Sequence, residues 1–300
     1  MYLDDLLKGA FDLHCHVYPE MTLEHEARQD DIGQLSGMQA AGMGGVVLKS
    51  HFWPTVDRCY YLSRQFPDLD VLPSIALNRV AGGLDPLVVD AAGHQGARVV
   101  FFPTWDSAND RRRGGFSKAV KKRLPAFFDD DGTGLEILDG EKLSAKTQTV
   151  LDAAQQSQML VCTGHLSPAE GRLVIEAARQ RGLQALFSHP LSGSIGASLD
   201  NMRAAIGLGA LVELCVLHTL SLNHYTSPRD IADVIKAVGA ENCVLSTDAF
   251  NSWVPPAHEI LRLGIGQLLE CGLSEDEIRT LTVTNPRRLL GLSDSGEPVS

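Results

Sequence analysis

Asp12, His14 and His16 alternate in Phe11-Asp12-Leu13-His14-Cys15-His16, at the end of the first apolar run of the chain. If that run is extended, alternate side chains share a face, so these three point one way while Leu13 and Cys15 point the other. Two imidazoles side by side at a strand end can hold one divalent metal, although two solvated or packed histidines would satisfy the same spacing. The difference lies in what recurs downstream. Lys49 and His51, His165 in Thr163-Gly164-His165, His189 in Ser188-His189-Pro190 and Asp248 in Ser246-Thr247-Asp248 each close a later apolar run. Imidazole together with carboxylate suits zinc, manganese, iron or nickel, and zinc is the commonest hydrolytic choice. Such an ion lowers the pKa of a coordinated water from about 15.7 toward roughly 7 and polarises a carbonyl, which is hydrolytic chemistry at neutral pH.

These residues need elements that bring them together. Strand-like runs lie at 10–15, 45–49, 71–77, 97–103, 159–163, 185–188, 211–215 and 243–247. Helical patterns lie between and after them, at 30–41, 56–65, 84–92, 169–181, 199–206, 228–237 and 256–271. Alternation of this kind predicts βα units and a parallel sheet, and eight runs predict a (β/α)8 TIM barrel whose strand ends converge on one mouth. The expected domain is a single barrel over 1–292, with two short extra helices within 274–290 and a tail at 293–300. One connection breaks the rhythm: residues 105–147, after the fourth run, hold Asp110-Arg111-Arg112-Arg113 and a hairpin pattern around Asp139-Gly140. An insertion at that end of a barrel is expected to be a lid over the site.

Taken in order, the strand-end residues resemble the amidohydrolase superfamily of metal-dependent (β/α)8 hydrolases. That pattern has His-x-His after the first strand, histidines after the fifth and sixth, and an aspartate after the eighth. The resemblance spans Asp12 to Gly291 and includes Thr284-Asn285-Pro286-Arg287-Arg288-Leu289-Leu290-Gly291, similar to the segment that often closes such chains. It implies that His14, His16, His165, His189 and Asp248 ligate metal, and that Asp248 also deprotonates the attacking water. The chain departs from the pattern after the fourth strand, where Phe102-Pro103-Thr104-Trp105 offers neither the lysine nor the glutamate that commonly bridges two metals. Lys49, on the face of His51, is the nearest lysine at a strand end. As a neutral amine beside cationic metal it could take up CO2 and ligate as a carbamate; otherwise it binds a substrate carboxylate or makes an ion pair. The centre therefore holds one or two ions, zinc being expected.

Other side chains have more than one reading. His51 and His218 are candidates to steady a developing oxyanion, or to support ligands. Glu213 could orient a ligand histidine or pair with an arginine of the core. Arg111 and Arg112, with Arg113, could fork onto an anionic substrate or form a solvated face. Trp53, Trp105 and Trp253 follow strands, and Trp105 and Trp253 are the expected pocket walls. His25, His94, His224 and His258 are expected at the surface. The six cysteines show no CxxC spacing, and Cys15 reads as packing on the far face of its strand.

Composition narrows the partners. A net charge of −11, from 26 basic and 37 acidic residues, argues against a phosphate-backbone partner. The longest apolar run, near 208–220, is broken by Glu213 and His218 and is shorter than the roughly 20 residues of a membrane span. Met1-Tyr2-Leu3-Asp4-Asp5 lacks the basic start of a signal peptide, so a cytoplasmic protein is expected, and a homo-oligomer is common for such enzymes. The expected activity is hydrolysis of an amide, lactone or other ester bond in a small, carboxylated or cyclic molecule. Two rivals are a metal-dependent non-oxidative decarboxylase or lyase on the same barrel, with Lys49 as an imine-forming amine, and a non-catalytic metal-binding protein.

Overall fold

In the computed structural model the described residues are 2–24, 27–128, 132–220 and 226–292; His25, His224 and the 293–300 tail lie outside them. The strands are β1 (Phe11–His16), β2 (Gly45–Lys49), β3 (Asp70–Ala76), β4 (Val99–Phe101), β5 (Leu138–Asp139), β6 (Lys142–Leu143), β7 (Leu160–Cys162), β8 (Ala185–Phe187), β9 (Leu211–Cys215) and β10 (Cys243–Ser246). Eight of them make one sheet in the order β1-β2-β3-β4-β7-β8-β9-β10, with β5 and β6 forming a separate hairpin. Neighbouring pairs from β1 to β9 are parallel. This is the (β/α)8 strand order, and every expected run holds a strand that differs from it by two residues at most at either end.

Helices alternate with the strands. They are α1 (Tyr2–Leu7), α2 (Asp31–Ala40), α3 (Val56–Gln65), α4 (Pro86–His94), α5 (Ala108–Arg113), α6 (Phe116–Arg123), α7 (Ala145–Gln156), α8 (Pro168–Gln180), α9 (Leu199–Gly207), α10 (Pro228–Val238), α11 (Ala257–Glu270), α12 (Glu275–Arg279) and α13 (Asn285–Leu289). Their starts are chemically marked. Ser167, Ser198, Ser227 and Ser274 each accept from the third helical amide while the side chain there returns to the serine N–H. Such caps are worth about 1 kcal/mol apiece. No helix among the described residues is long and apolar enough to cross a membrane.

The chain packs as two compact units, with boundaries inside β3 and β9. The first comprises Met1–Ser50, Thr55–Pro73 and Glu213–Ser300. Its core joins Phe11 and Leu13 of β1, Val46 to Leu48 of β2 and Val244 of β10 with Leu35 and Met38 of α2 and Ile260, Leu261 and Ile265 of α11. Gly45 has to be glycine, because a Cβ there would lie 2.2 Å from the Phe11 ring. The Asn285-Pro286 motif has a structural role. Asn285 Nδ2 donates to the carbonyls of Ala240 at 2.9 Å and Cys243 at 2.7 Å, pinning the start of β10 to α13.

The second unit comprises His51–Pro54 and Ser74–Val212. It contains β4, β7, β8 and the whole connection between β4 and β7. Its described residues fold as α5, α6, a 3-10 turn at Pro125–Phe128, the β5–β6 hairpin, in which Asp139 pairs with Lys142 around Gly140 at φ +61°, and α7. Inside it Trp105, only 1% exposed, stacks with Phe52 and Phe127 and meets Phe128. Trp105 is thus enclosed by aromatic rings. The two-residue strands and short basic helices bury too few apolar positions to show a periodic pattern in sequence.

Candidate metal centre

The first unit gathers its polar residues where β1 meets the end of β10. Along β1 the register slips, Asp12 facing Val46 and Cys15 facing Leu48, so three steps on β1 match two on β2. An irregularity of this kind re-aims side chains at a strand end. Asp12 stabilises it by accepting from the N–H of His14 at 3.1 Å, the N–H of Thr247 at 3.1 Å and the Thr247 hydroxyl at 2.5 Å. Burial pushes the Asp12 carboxyl up to about 7, against the lowering effect of these donors. Across the seam, the Asp248 N–H donates to His14 O at 2.8 Å and the His16 N–H donates to Ala249 O at 3.1 Å. Asp248 itself has φ +54°, a strained conformation for a non-glycine residue that the surrounding contacts hold in place.

Each histidine of the pair is gripped at one nitrogen by a carboxylate. His14 Nδ1 lies 3.2 Å from both oxygens of Glu213, with both side chains fully enclosed. His16 Nδ1 lies 3.0 Å from Glu20 Oε1. A carboxylate only accepts, so each Nδ1 presents its proton to its glutamate, and the two Nε2 atoms face the rest of the cluster. Those Nε2 atoms converge on one atom, Asp248 Oδ1, at 3.2 Å from each. His14, His16 and Asp248 offer donor atoms that all lie within 4.8 Å of one another. His218 Nε2 then lies 3.2 Å from Asp248 Oδ2, which makes it a partner of the carboxylate. Imidazoles backed by a carboxylate at Nδ1 and meeting a further carboxylate at Nε2 are the usual surroundings of a bound transition metal, so this donor set fits one.

Charges in this buried cluster offset one another. Burial alone would raise Asp248, but His14, His16 and His218 outweigh it and hold the carboxyl well below its ordinary value. Burial would lower His16, yet Glu20 and Asp248 raise it overall. Lys49, 1% exposed, has its Nζ 2.8 Å from His14 Nε2. Burial pulls its pKa down against the opposing charges of Asp248, Glu213 and Glu20. β2 ends at Lys49, so strand alternation stops there and does not govern His51.

The second unit holds its own cluster. The Gly164 N–H donates to Ser188 Oγ at 3.1 Å, and the Ser188 N–H to Thr163 Oγ1 at 3.0 Å, tying the ends of β7 and β8 together. Gly164 has φ +58°, and a Cβ on it would lie 2.2 Å from Phe102 O. The rings of His165 and His189 then meet edge to face with centroids 5.0 Å apart. His165 Nδ1 is 2.6 Å from Asp110 Oδ2. Burial would raise Asp110, but the hydrogen bond and charge of His165, with donors from Ser117, hold it well below the usual carboxylate range. The His51 ring lies against Phe116, centroids 4.8 Å apart.

The remaining expectations divide. Arg111, whose side chain is 4% exposed, is engaged by Asp106 at 2.6 Å and sits over the Phe128 ring. Arg112 is solvated at 56% exposure beside Glu136, and Trp253 is 38% exposed. His94 is at the surface as expected, but His258 is only 13% exposed, enclosed because its ring fills the space beside Gly37. Cys15 is buried, in keeping with its packing role. Sequence reasoning missed Glu20 and Asp110. Glu20 follows the Tyr18-Pro19 turn, outside any periodic element, and Asp110 looked like part of a charged run.

Solved structures of low identity share this fold. A probable dipeptidase, PvdM, from Pseudomonas aeruginosa aligns with a TM-score of 0.64 and 14% identity over 97% of this chain and 96% of its own. An amidohydrolase from Pseudomonas aeruginosa gives 0.62 and 12% over 96% and 98%. A 2,6-dihydroxybenzoate decarboxylase complexed with 2,6-dihydroxybenzoate gives 0.57 and 12% over 95% and 100%. At such identities the likeness establishes the fold. No curated protein sequence matches the chain. A family model described as a family of unknown function, DUF6282, matches residues 9–213.

Proposed function

We propose that this chain, which belongs to the family of unknown function DUF6282, is a metal-dependent hydrolase of the amidohydrolase type. Its substrate would be a small, carboxylated or cyclic molecule with an amide, lactone or other ester bond. The observation that carries this reading is the convergence of two carboxylate-backed histidines on Asp248. His14, His16 and Asp248 would hold a divalent ion, zinc by the chemistry of the set, and that ion would supply Lewis acidity and a more acidic water.

The residues of the chain do the rest. Glu213 and Glu20 would orient the two rings by accepting at Nδ1. Asp248, kept ionised by its histidines, accepts the proton of the attacking water and returns it to the leaving group. His218 steadies the carboxylate through Oδ2 while this happens. His165 and His189 are assigned to the same chemistry by their order at the strand ends, with Trp253 and Arg112 as substrate contacts. Lys49 sets the number of ions: as a plain amine it leaves a mononuclear centre, and as a carbamate it adds oxygen ligands for a second. Intact mass after purification under CO2 separates these two.

Elemental analysis, with assays on ester, lactone, amide and phosphotriester panels, tests the function. His14→Ala and Asp248→Ala should each lose metal and activity together, and full activity in metal-free protein would refute the reading. Lys49 supports one rival, because a buried amine with a lowered pKa is suited to imine formation in a lyase. Borohydride trapping with a carbonyl substrate labels Lys49 in that case and leaves it unmodified in a hydrolase. Inertness at full metal occupancy would point to a non-catalytic binding protein.

A further inference from the structure

Three side chains of the connection between β4 and β7 hydrogen-bond to His165. Ser107 Oγ and Asn109 Nδ2 both donate to His165 O, at 3.0 and 2.9 Å. Asn109 Nδ2 also donates to Ser194 O at 3.0 Å, and Arg113 Nε to Gly193 O at 3.2 Å, so the loop after His189 is tied to the same segment. Asp110, fully buried, completes the grip by meeting the ring at Nδ1.

The Asp110 carboxylate is itself fixed from a second side. Its Oδ1 accepts from the Ser117 N–H at 2.7 Å and its Oδ2 from the Phe116 N–H at 3.2 Å, the first two amides of α6. Gly115 permits this approach, since a Cβ there would lie 2.6 Å from Asp110 Oδ2 and 2.6 Å from Ser194 Oγ. A carboxylate pinned by two backbone donors cannot swing away from its third partner. It can only accept, so that partner must present a proton.

We propose that the segment from Ser107 to Ser117 is a brace for His165, in which Asp110 is a positioning residue. It holds the imidazole as the Nδ1–H tautomer and leaves Nε2 to take a metal or a proton. The role of Nε2 rests on the metal-dependent reading above; the tautomer does not.

Two-bond 1H–15N correlation spectra of the full-length chain, before and after exhaustive chelation, report the tautomer directly. At about pH 8.5, well above the ordinary histidine pKa of about 6.5, the ring assigned by its absence in His165→Gln should be Nδ1–H in both samples. In Asp110→Asn the short Ser117 contact keeps the amide oxygen, so the NH2 group faces Nδ1 and the chelated variant should switch to Nε2–H. Competition with a chelator should show its Zn2+ affinity reduced 10- to 100-fold. An Nε2–H ring in the chelated wild type, which needs no variant to fold, overturns the proposal, as does an unchanged tautomer in Asp110→Asn. If His165→Ala binds Zn2+ as wild type does, the ligand assignment of His165 fails while a tautomer switch still upholds the brace.

Discussion

Glu213→Gln is the most informative single change, because it keeps the volume of a fully enclosed side chain and removes only its charge and one acceptor. Glu213 accepts from His14 Nδ1 with both oxygens at 3.2 Å, longer than the roughly 2.7–2.9 Å of the strongest charge-assisted hydrogen bonds. Partners of ligand histidines typically carry 10- to 100-fold in metal affinity, and the long contact selects the lower end, about tenfold or 1.4 kcal/mol. Because ligand binding stabilises the folded state by RT ln(1 + [L]/Kd), the same loss should appear as about 1.4 kcal/mol less stabilisation by saturating Zn2+. Chelator competition gives the first number and urea unfolding with and without Zn2+ gives the second. A variant that binds Zn2+ within twofold of wild type would show that Glu213 does not support a metal ligand.

Three further outcomes are expected. Gly164→Ala should destabilise the protein by roughly 2 kcal/mol or more in thermal or urea melts, because φ +58° and a 2.2 Å approach to Phe102 O leave no room for a Cβ. For Asp12 the folded pKa, raised by burial to about 7, exceeds the unfolded value near 3.8, so its stabilising contribution is present below that value and lost as pH rises through 7. In metal-free protein, Asp12→Asn should therefore gain on wild type between pH 4 and 7, by an amount on the order of 4 kcal/mol at most; a pH-independent difference would contradict the assignment. Thiol titration of native protein near pH 8 should find Cys271 reactive first and the rest slow, since Cys15, Cys59, Cys162, Cys215 and Cys243 are buried. Burial pushes Cys59 and Cys243 up to about 12.

The parts of the molecule that repeat a period were legible in the sequence. β2 and β9 coincide with their predicted runs, as does α3, because β-branched runs and apolar helix faces signal themselves locally. His14, His16 and Asp248 were legible for the same reason, since each stands at the end of such a run. Glu213 was half legible, within a strand yet with two possible partners. Residues that act through irregular backbone were not: Glu20 follows a turn, and Asp110 gains its meaning only once α6 supplies two amides and β7 delivers His165. The burial of Trp105 and Arg111 was not legible, because an aromatic or an arginine after a strand looks the same in sequence whether it faces solvent or core.

The most direct test of the account is the metal content of the purified protein beside that of His14→Ala and Asp248→Ala, measured by elemental analysis with native mass spectrometry. The account predicts one or two divalent ions per wild-type chain and loss of metal in both variants with their secondary structure intact. Wild-type protein that takes up no divalent ion, or variants that retain metal at the wild-type level, would contradict it.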